Sequence, residues 1–148
     1  MTNSSTTVTA AIGQNHSIFV TTFNGISTVY ACGSNSYADL APDGVTNDTI
    51  TYNQMNITSW FPENIVQVGI VGSATYLISQ SHVYVLGKCT AGLCYNISVG
   101  PVTLQVLQLP LQFSDIQRFV YDEGALVLVK SNGDLYYLGV SQCASSQT

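Results

Sequence analysis

The sequence predicts an all-β fold assembled from three tandem hairpin modules, and three observations carry that prediction. The strings Val29-Tyr30-Ala31-Cys32-Gly33, Val83-Tyr84-Val85-Leu86-Gly87 and Leu135-Tyr136-Tyr137-Leu138-Gly139 recur at intervals of 54 and 52 residues, and a period of this size marks a repeat architecture. Each string follows an apolar run that includes β-branched residues, which suits a pleated surface. Turn-forming residues separate run from string, so each copy reads turn, strand, short turn, strand, glycine.

The first copy spans approximately residues 9–41. Gly13, His16 and Ser17 make a turn that leads into Ile18, Phe19 and Val20, and Asn24-Gly25 then predicts a hairpin turn because both positions tolerate positive φ. In the second, residues 64–95, Gly69 to Ser73 reads as turn, Ala74 to Ile78 as strand, and Gln80-Ser81 as a turn without glycine. In the third, residues 116–147, Tyr121 to Ala125 is the turn, Leu126 to Val129 the strand, and Ser131-Asn132-Gly133-Asp134 the turn before Leu135. The segments between copies, Pro42 to Pro62 and Asn96 to Pro110, are expected to hold further strands. Val102 to Leu109 is the clearest, since apolar and polar residues alternate after Thr103. A short helical turn around Ser114 to Arg118 competes with strand there.

On these residues the chain resembles the regulator of chromosome condensation repeat family. That family's unit runs Gly-x-x-His-Ser/Thr, an apolar strand, Asn/Asp-Gly, Val-Tyr-x-Trp-Gly and an Asn-x-x-Gly-Gln-Leu-Gly turn. The first copy follows it through Gly33-Ser34-Asn35 to Leu40, while Cys32, Leu86 and Leu138 stand where the family has tryptophan. The resemblance implies a β-propeller, in which each repeat supplies one antiparallel sheet that buries its faces against its neighbours. Propellers close with about four to eight blades, so three copies imply an open arc or part of a larger propeller. An open arc leaves unpaired strand edges and uncovered apolar faces, which favours association with other protein, including copies of the chain as an oligomer or filament. The family also implies an alternative, a regulatory propeller or guanine-nucleotide exchange factor fragment acting on a small GTPase.

Length agrees with a single domain over residues 1–148, large enough for a real core. The chain holds 3 basic and 8 acidic residues, and charged residues make up 7% of it against about 25% in ordinary globular domains. Polar surface must therefore come from its 16 serines, 15 threonines and 10 asparagines. Nucleic-acid binding needs clustered Lys and Arg; Lys88, Arg118 and Lys130 at a net charge of −5 argue against it, and against an anionic membrane surface. The uncharged run from Asn64 to Gly87 is broken by Gln67, Ser73, Thr75 and the residues from Ser79 to His82, so it reads as two strands and not as a membrane span. Met1 to Thr7 lacks the basic start and apolar run of a secretory leader.

Asn-x-Ser/Thr sequons make Asn3, Asn15, Asn47, Asn56 and Asn96 glycosylation candidates. Asn47, Asn56 and Asn96 fall in the loops between copies, whereas a glycan on Asn15 would crowd the turn that precedes the first strand. Four cysteines suit an oxidising compartment. Cys89 and Cys94 form a candidate disulfide across the turn after the second copy, and Cys32, in the slot of Leu86 and Leu138, reads as core. The expected location is the cell exterior or surface, with the cytoplasm as the alternative.

No catalytic constellation emerges. His16 and His82 are the only histidines, and no nucleophile-elbow string accompanies them. His16 reads as a structural hydrogen-bonding residue, and Asp122-Glu123 as a solvated turn. Cysteines without a close pair do not make a zinc site, and no glycine-rich string opens a helix to hold phosphate. The expectation is a non-enzyme without cofactor or metal. Trp60 and Phe61, beside a proline in a linker, and Tyr37 and Tyr95, which break the repeat symmetry, are the interaction candidates. Tyr30, Tyr84 and Tyr136 share one repeat position and read as structural.

Overall fold

The structure is a computed structural model that describes residues 6–36, 49–55, 63–89, 100–109, 111–122 and 125–139, the segments 49–55 and 100–104 and residue 122 as backbone. These residues form three antiparallel sheets in chain order. The first contains β1 (Thr6–Ile12), β2 (His16–Phe23), β3 (Ile26–Gly33) and β4 (Thr49–Met55). The second contains β5 (Gln67–Val71), β6 (Ala74–Ile78), β7 (Val83–Cys89) and β8 (Gly100–Val106), and the third β9 (Ile116–Asp122), β10 (Ala125–Lys130) and β11 (Leu135–Gly139). Every sheet is a meander in which consecutive strands pair. β1 packs along β5, and β5 along β9, so the first strands of the three sheets line a common inner wall.

Local chemistry accounts for the hairpins. Asn24 and Gly25 both adopt positive φ, 50° and 78°, the geometry of a two-residue turn that matches strand twist, and Phe23 pairs with Ile26 across it. In the β10–β11 turn of the third sheet only Gly133 is positive, at 91°; its N–H donates to Lys130 O and Lys130 N–H to Asp134 O, which makes a three-residue loop instead. The Gln80-Ser81 turn holds without glycine because the Ser79 hydroxyl accepts from the N–H groups of Ser81 and His82, at 3.2 and 2.9 Å.

The glycine that ends each repeat string has a backbone reason. Gly33, Gly87 and Gly139 have φ of 118°, 96° and 138°, a region closed to side chains in practice. At Gly33 and Gly87 the register to the outermost strand shifts, so the glycine sits at a bulge that lets β4 and β8 pair on. A Cβ on Gly33 would also come within 2.5 Å of Asn15 O.

Two apolar layers hold the sheets together. Between the first and second, Ile18, Val20, Val29 and Ala31 meet Val68, Ile70, Leu77, Tyr84 and Leu86. Between the second and third, Val71, Tyr76, Ile78, Val83 and Val85 meet Phe119, Leu126, Leu128 and Leu138. Alternate residues of one strand enter opposite layers, and with a neighbour on both sides β6 is buried along its whole length.

Several sequence expectations need correction. Gly69 to Val71 belongs to β5 and not to a turn, which is Gly72-Ser73; likewise Tyr121 and Asp122 end β9. The run from Asn64 to Gly87 therefore contains three strands and not two. In both cases the first strand of a sheet was hidden by turn-like residues, and packing against the neighbouring sheet's first strand decides its conformation. β8 stops at Val106, short of Leu109, and Leu107 turns inward with its N–H donating to Val83 O. A 3-10 turn does occur, at Phe113–Asp115, with β9 beginning immediately after it.

Candidate interaction site on the outer faces of the terminal sheets

The strand registers make positions in the three sheets equivalent, and equivalence exposes a contrast. Ile12 of β1, Ile70 of β5 and Tyr121 of β9 occupy the same place. Ile70 is buried at 9% exposure against the first sheet, whereas Ile12 is 85% exposed. Phe19 and Tyr30 correspond to Leu77 and Tyr84, and their rings stack at 4.8 Å on the side of the first sheet that faces away from the second. The opposite end repeats the pattern. Leu135 corresponds to Val83 and Val29, yet it is 68% exposed where they are 1% and 0%. Val120 and Tyr137 are exposed beside it, with Val127 and Val129 half-buried. Each terminal sheet thus presents an apolar outer face where an inner sheet would be covered. Covering one such side chain contributes about 1.5–3 kcal/mol.

Contacts between sheets are polar as well as apolar. His16 is buried, and its Nε2 shares a 2.8 Å hydrogen bond with Thr75 Oγ1 on β6. Burial pushes its pKa down to about 4, so the imidazole is neutral at pH 7. Gln67 Nε2 donates to Phe119 O at 3.1 Å, tying β5 to β9. Tyr121 lies on Gly69, where a Cβ would come within 2.1 Å of the ring. Its hydroxyl is buried without a hydrogen-bond partner among the described residues, and burial, then the nearby Tyr76, drive its pKa far up.

An uncharged groove of about 650 Å³ runs between β1 and β5, with Thr9, Gln14, Gln67 and Tyr121 in its walls. Among the described residues Tyr121 is the one titratable group in its walls, and burial keeps that hydroxyl protonated at neutral pH.

One cluster combines serine, histidine and carboxylate. Glu63 accepts from the hydroxyls of Ser79 and Ser81, the latter at 2.7 Å, and from His82 Nδ1–H at 2.7 Å. Ser81 Oγ also lies 2.9 Å from that same nitrogen. A nucleophilic triad needs the serine on one ring nitrogen and the carboxylate on the other. Here both gather at Nδ1, so the cluster pins residue 63 to the β6–β7 turn and does not activate Ser81. The hydrogen bonds from Ser79 and Ser81 hold the Glu63 carboxyl below its usual pKa.

Of the residues expected to matter, Trp60, Phe61, Tyr37, Tyr95, Asn3, Asn47, Asn56, Asn96 and Cys94 lie outside the described residues. Asn15 is exposed in the turn between β1 and β2, and its carbonyl accepts from Ser34 N–H. Cys89 is buried and disulfide-bonded. Cys32 is a free cysteine and only half-buried, on the outer face of the first sheet with its Sγ 3.6 Å from Ser17 Oγ, so the expectation of a core residue fails. The tyrosine position is not uniform either: Tyr84 is buried, Tyr30 half-buried and Tyr136 exposed, because coverage differs from sheet to sheet. Among the described residues no three His, Cys, Asp or Glu gather as a metal site, and no helix is long and apolar enough to cross a membrane.

No protein-family model matches the sequence, and no curated protein matches it. Among solved structures, human WBSCR16 superposes with a TM-score of 0.67 at 18% identity, over 93% of this chain and 33% of that one. The chain spans about a third of that protein's length. The likeness shows the fold: the three sheets are consecutive blades of a β-propeller, forming an open arc or part of a larger propeller.

Proposed function

We propose that this chain is a non-catalytic interaction segment of a β-propeller, which takes on other protein through the outer faces of its first and third blades. One observation carries the reading: positions that bury Ile70 and Val83 between blades leave Ile12 and Leu135 open at the two ends. An uncovered β-face of this kind is completed by another apolar surface. The buried neutral His16 and the single-nitrogen arrangement at His82 support a role other than catalysis. An extracellular setting is supported by the disulfide at Cys89 and the five sequons.

Hydroxyl-radical footprinting tests the reading, with the protein in its native assembly compared against the isolated chain. Ile12, Val120 and Leu135 are expected to be labelled strongly in isolation and protected in the assembly. Equal labelling of all three in both states would refute it.

A further inference from the structure

We infer that the outer face of the third blade seats on the outer face of the first blade of a second copy of this chain, head to tail. The inference rests on the interaction reading above and names its partner.

Blade contacts in this chain are directional. The surface that the first blade offers the second, built on Ile18, Val20 and Val29, is equivalent to the one the second offers the third, built on Tyr76, Ile78 and Val83. The third blade's outer face, with Val127, Val129 and Leu135, is the next member of that series. The first blade's outer face is the receiving kind, equivalent to the faces that hold Ile70, Leu77 and Tyr84 in the second blade and Tyr121, Leu128 and Tyr136 in the third. One copy therefore carries one face of each kind, and two faces of the same kind do not match. Association that follows the internal contacts must be head to tail, a heterologous contact that either closes a ring or extends a filament.

Side-chain size fits the same pairing. The third blade's outer face is bulky at Tyr137, where the first blade's inner face has Ala31 and the second has Val85. The receiving face is small at Ala10 and Cys32, where the third blade has Phe119 and Leu138. A polar anchor also has its counterpart. Gln67 donates to the Phe119 carbonyl between the second and third blades. Arg118 occupies the place of Gln67 and Ala10 the place of Phe119, which sets the guanidinium of one copy against the Ala10 carbonyl of the other.

The experiment uses two substitutions at exposed positions, Ile12→Glu on the receiving face and Leu135→Glu on the third blade, read by sedimentation velocity. Unchanged circular dichroism and melting temperature confirm that each variant folds. The wild-type chain is expected to self-associate as its concentration rises through the micromolar range, and each variant alone to stay monomeric. An equimolar mixture restores a single good contact and should give dimers and nothing larger. Arg118→Ala added to the Ile12→Glu chain should weaken that mixed dimer by about tenfold, the order of one lost hydrogen bond. A wild-type chain that stays monomeric, a single variant that associates as well as wild type, or a mixture that remains monomeric would overturn the inference. If the wild type is monomeric while Ile12 and Leu135 are protected in the native assembly, the second copy is refuted and the interaction reading stands.

Discussion

Acid is expected to loosen the first blade from the second through one residue, His16. The folded imidazole has a pKa of about 4 because burial disfavours its charge, whereas the unfolded chain returns it to 6.5. Above pH 6.5 both states are neutral and the contribution to stability is whole. As pH falls from 6.5 toward 4, the unfolded state takes up a proton that the folded state refuses, and stability declines. At about 1.4 kcal/mol per pH unit, that window costs at most about 3 kcal/mol. Such a loss is a large share of an ordinary domain's roughly 5–15 kcal/mol. Urea unfolding of wild type and His16→Gln over this pH range measures it. Gln keeps a donor for Thr75 and cannot titrate, so its stability should vary less with pH, by about 3 kcal/mol across the window. Carboxylates such as Glu63 titrate in both proteins and cancel in the difference. Parallel pH profiles for the two proteins, or an NMR titration that places His16 near 6.5, would refute the account.

Three further predictions concern packing, a buried hydroxyl and the glycine-free turn. Gly69→Ala should destabilise by about 1–3 kcal/mol, because its Cβ would enter the Tyr121 ring, and be neutral or stabilising in a Tyr121→Ala background; additive effects in chemical denaturation would count against the contact. Tyr121→Phe should be neutral or stabilise by about 1 kcal/mol, since it deletes a buried hydroxyl without a partner among the described residues, and a lower melting temperature would contradict this. Ser79→Ala should cost about 1–2 kcal/mol by stripping two backbone N–H groups of their acceptor, and Ser81→Ala about 0.5 kcal/mol or less because Ser81 is exposed; a reversed order in urea melts would show that Ser79 does not build the turn.

The hairpins were legible in the sequence because their causes are local. Asn24-Gly25 supplies two positive φ values within two residues, and the repeat glycines end their strings for a backbone reason that any copy must satisfy. The first strand of each blade was not legible. Thr6 to Ile12 is Thr- and Ala-rich, Gly69 interrupts the second copy, and Tyr121-Asp122 precedes an acidic residue and a glycine. What makes these segments strands lies far away in sequence, as where Tyr121 rests on Gly69 from the next blade. The outer faces were expected as a class and hidden as residues. Leu135 and Val83 have the same local surroundings, as do Ile12 and Ile70, and only the count of neighbouring blades separates an exposed member from a buried one. Cys32 differs from the buried Leu86 and Leu138 of its slot for that reason.

The second blade is clasped on both sides while its neighbours are clasped on one, and this asymmetry dictates how the protein comes apart. In a quasi-one-dimensional array stability is the sum of each unit and its contacts, so the flanking units peel away first and the middle one behaves as a keystone. Amide hydrogens of Tyr76, Leu77 and Ile78 should then exchange slowest of all, and those of Thr7 to Ala11 among the fastest in any strand. A capped end would erase that gradient, which makes exchange kinetics a direct report of whether anything is docked there.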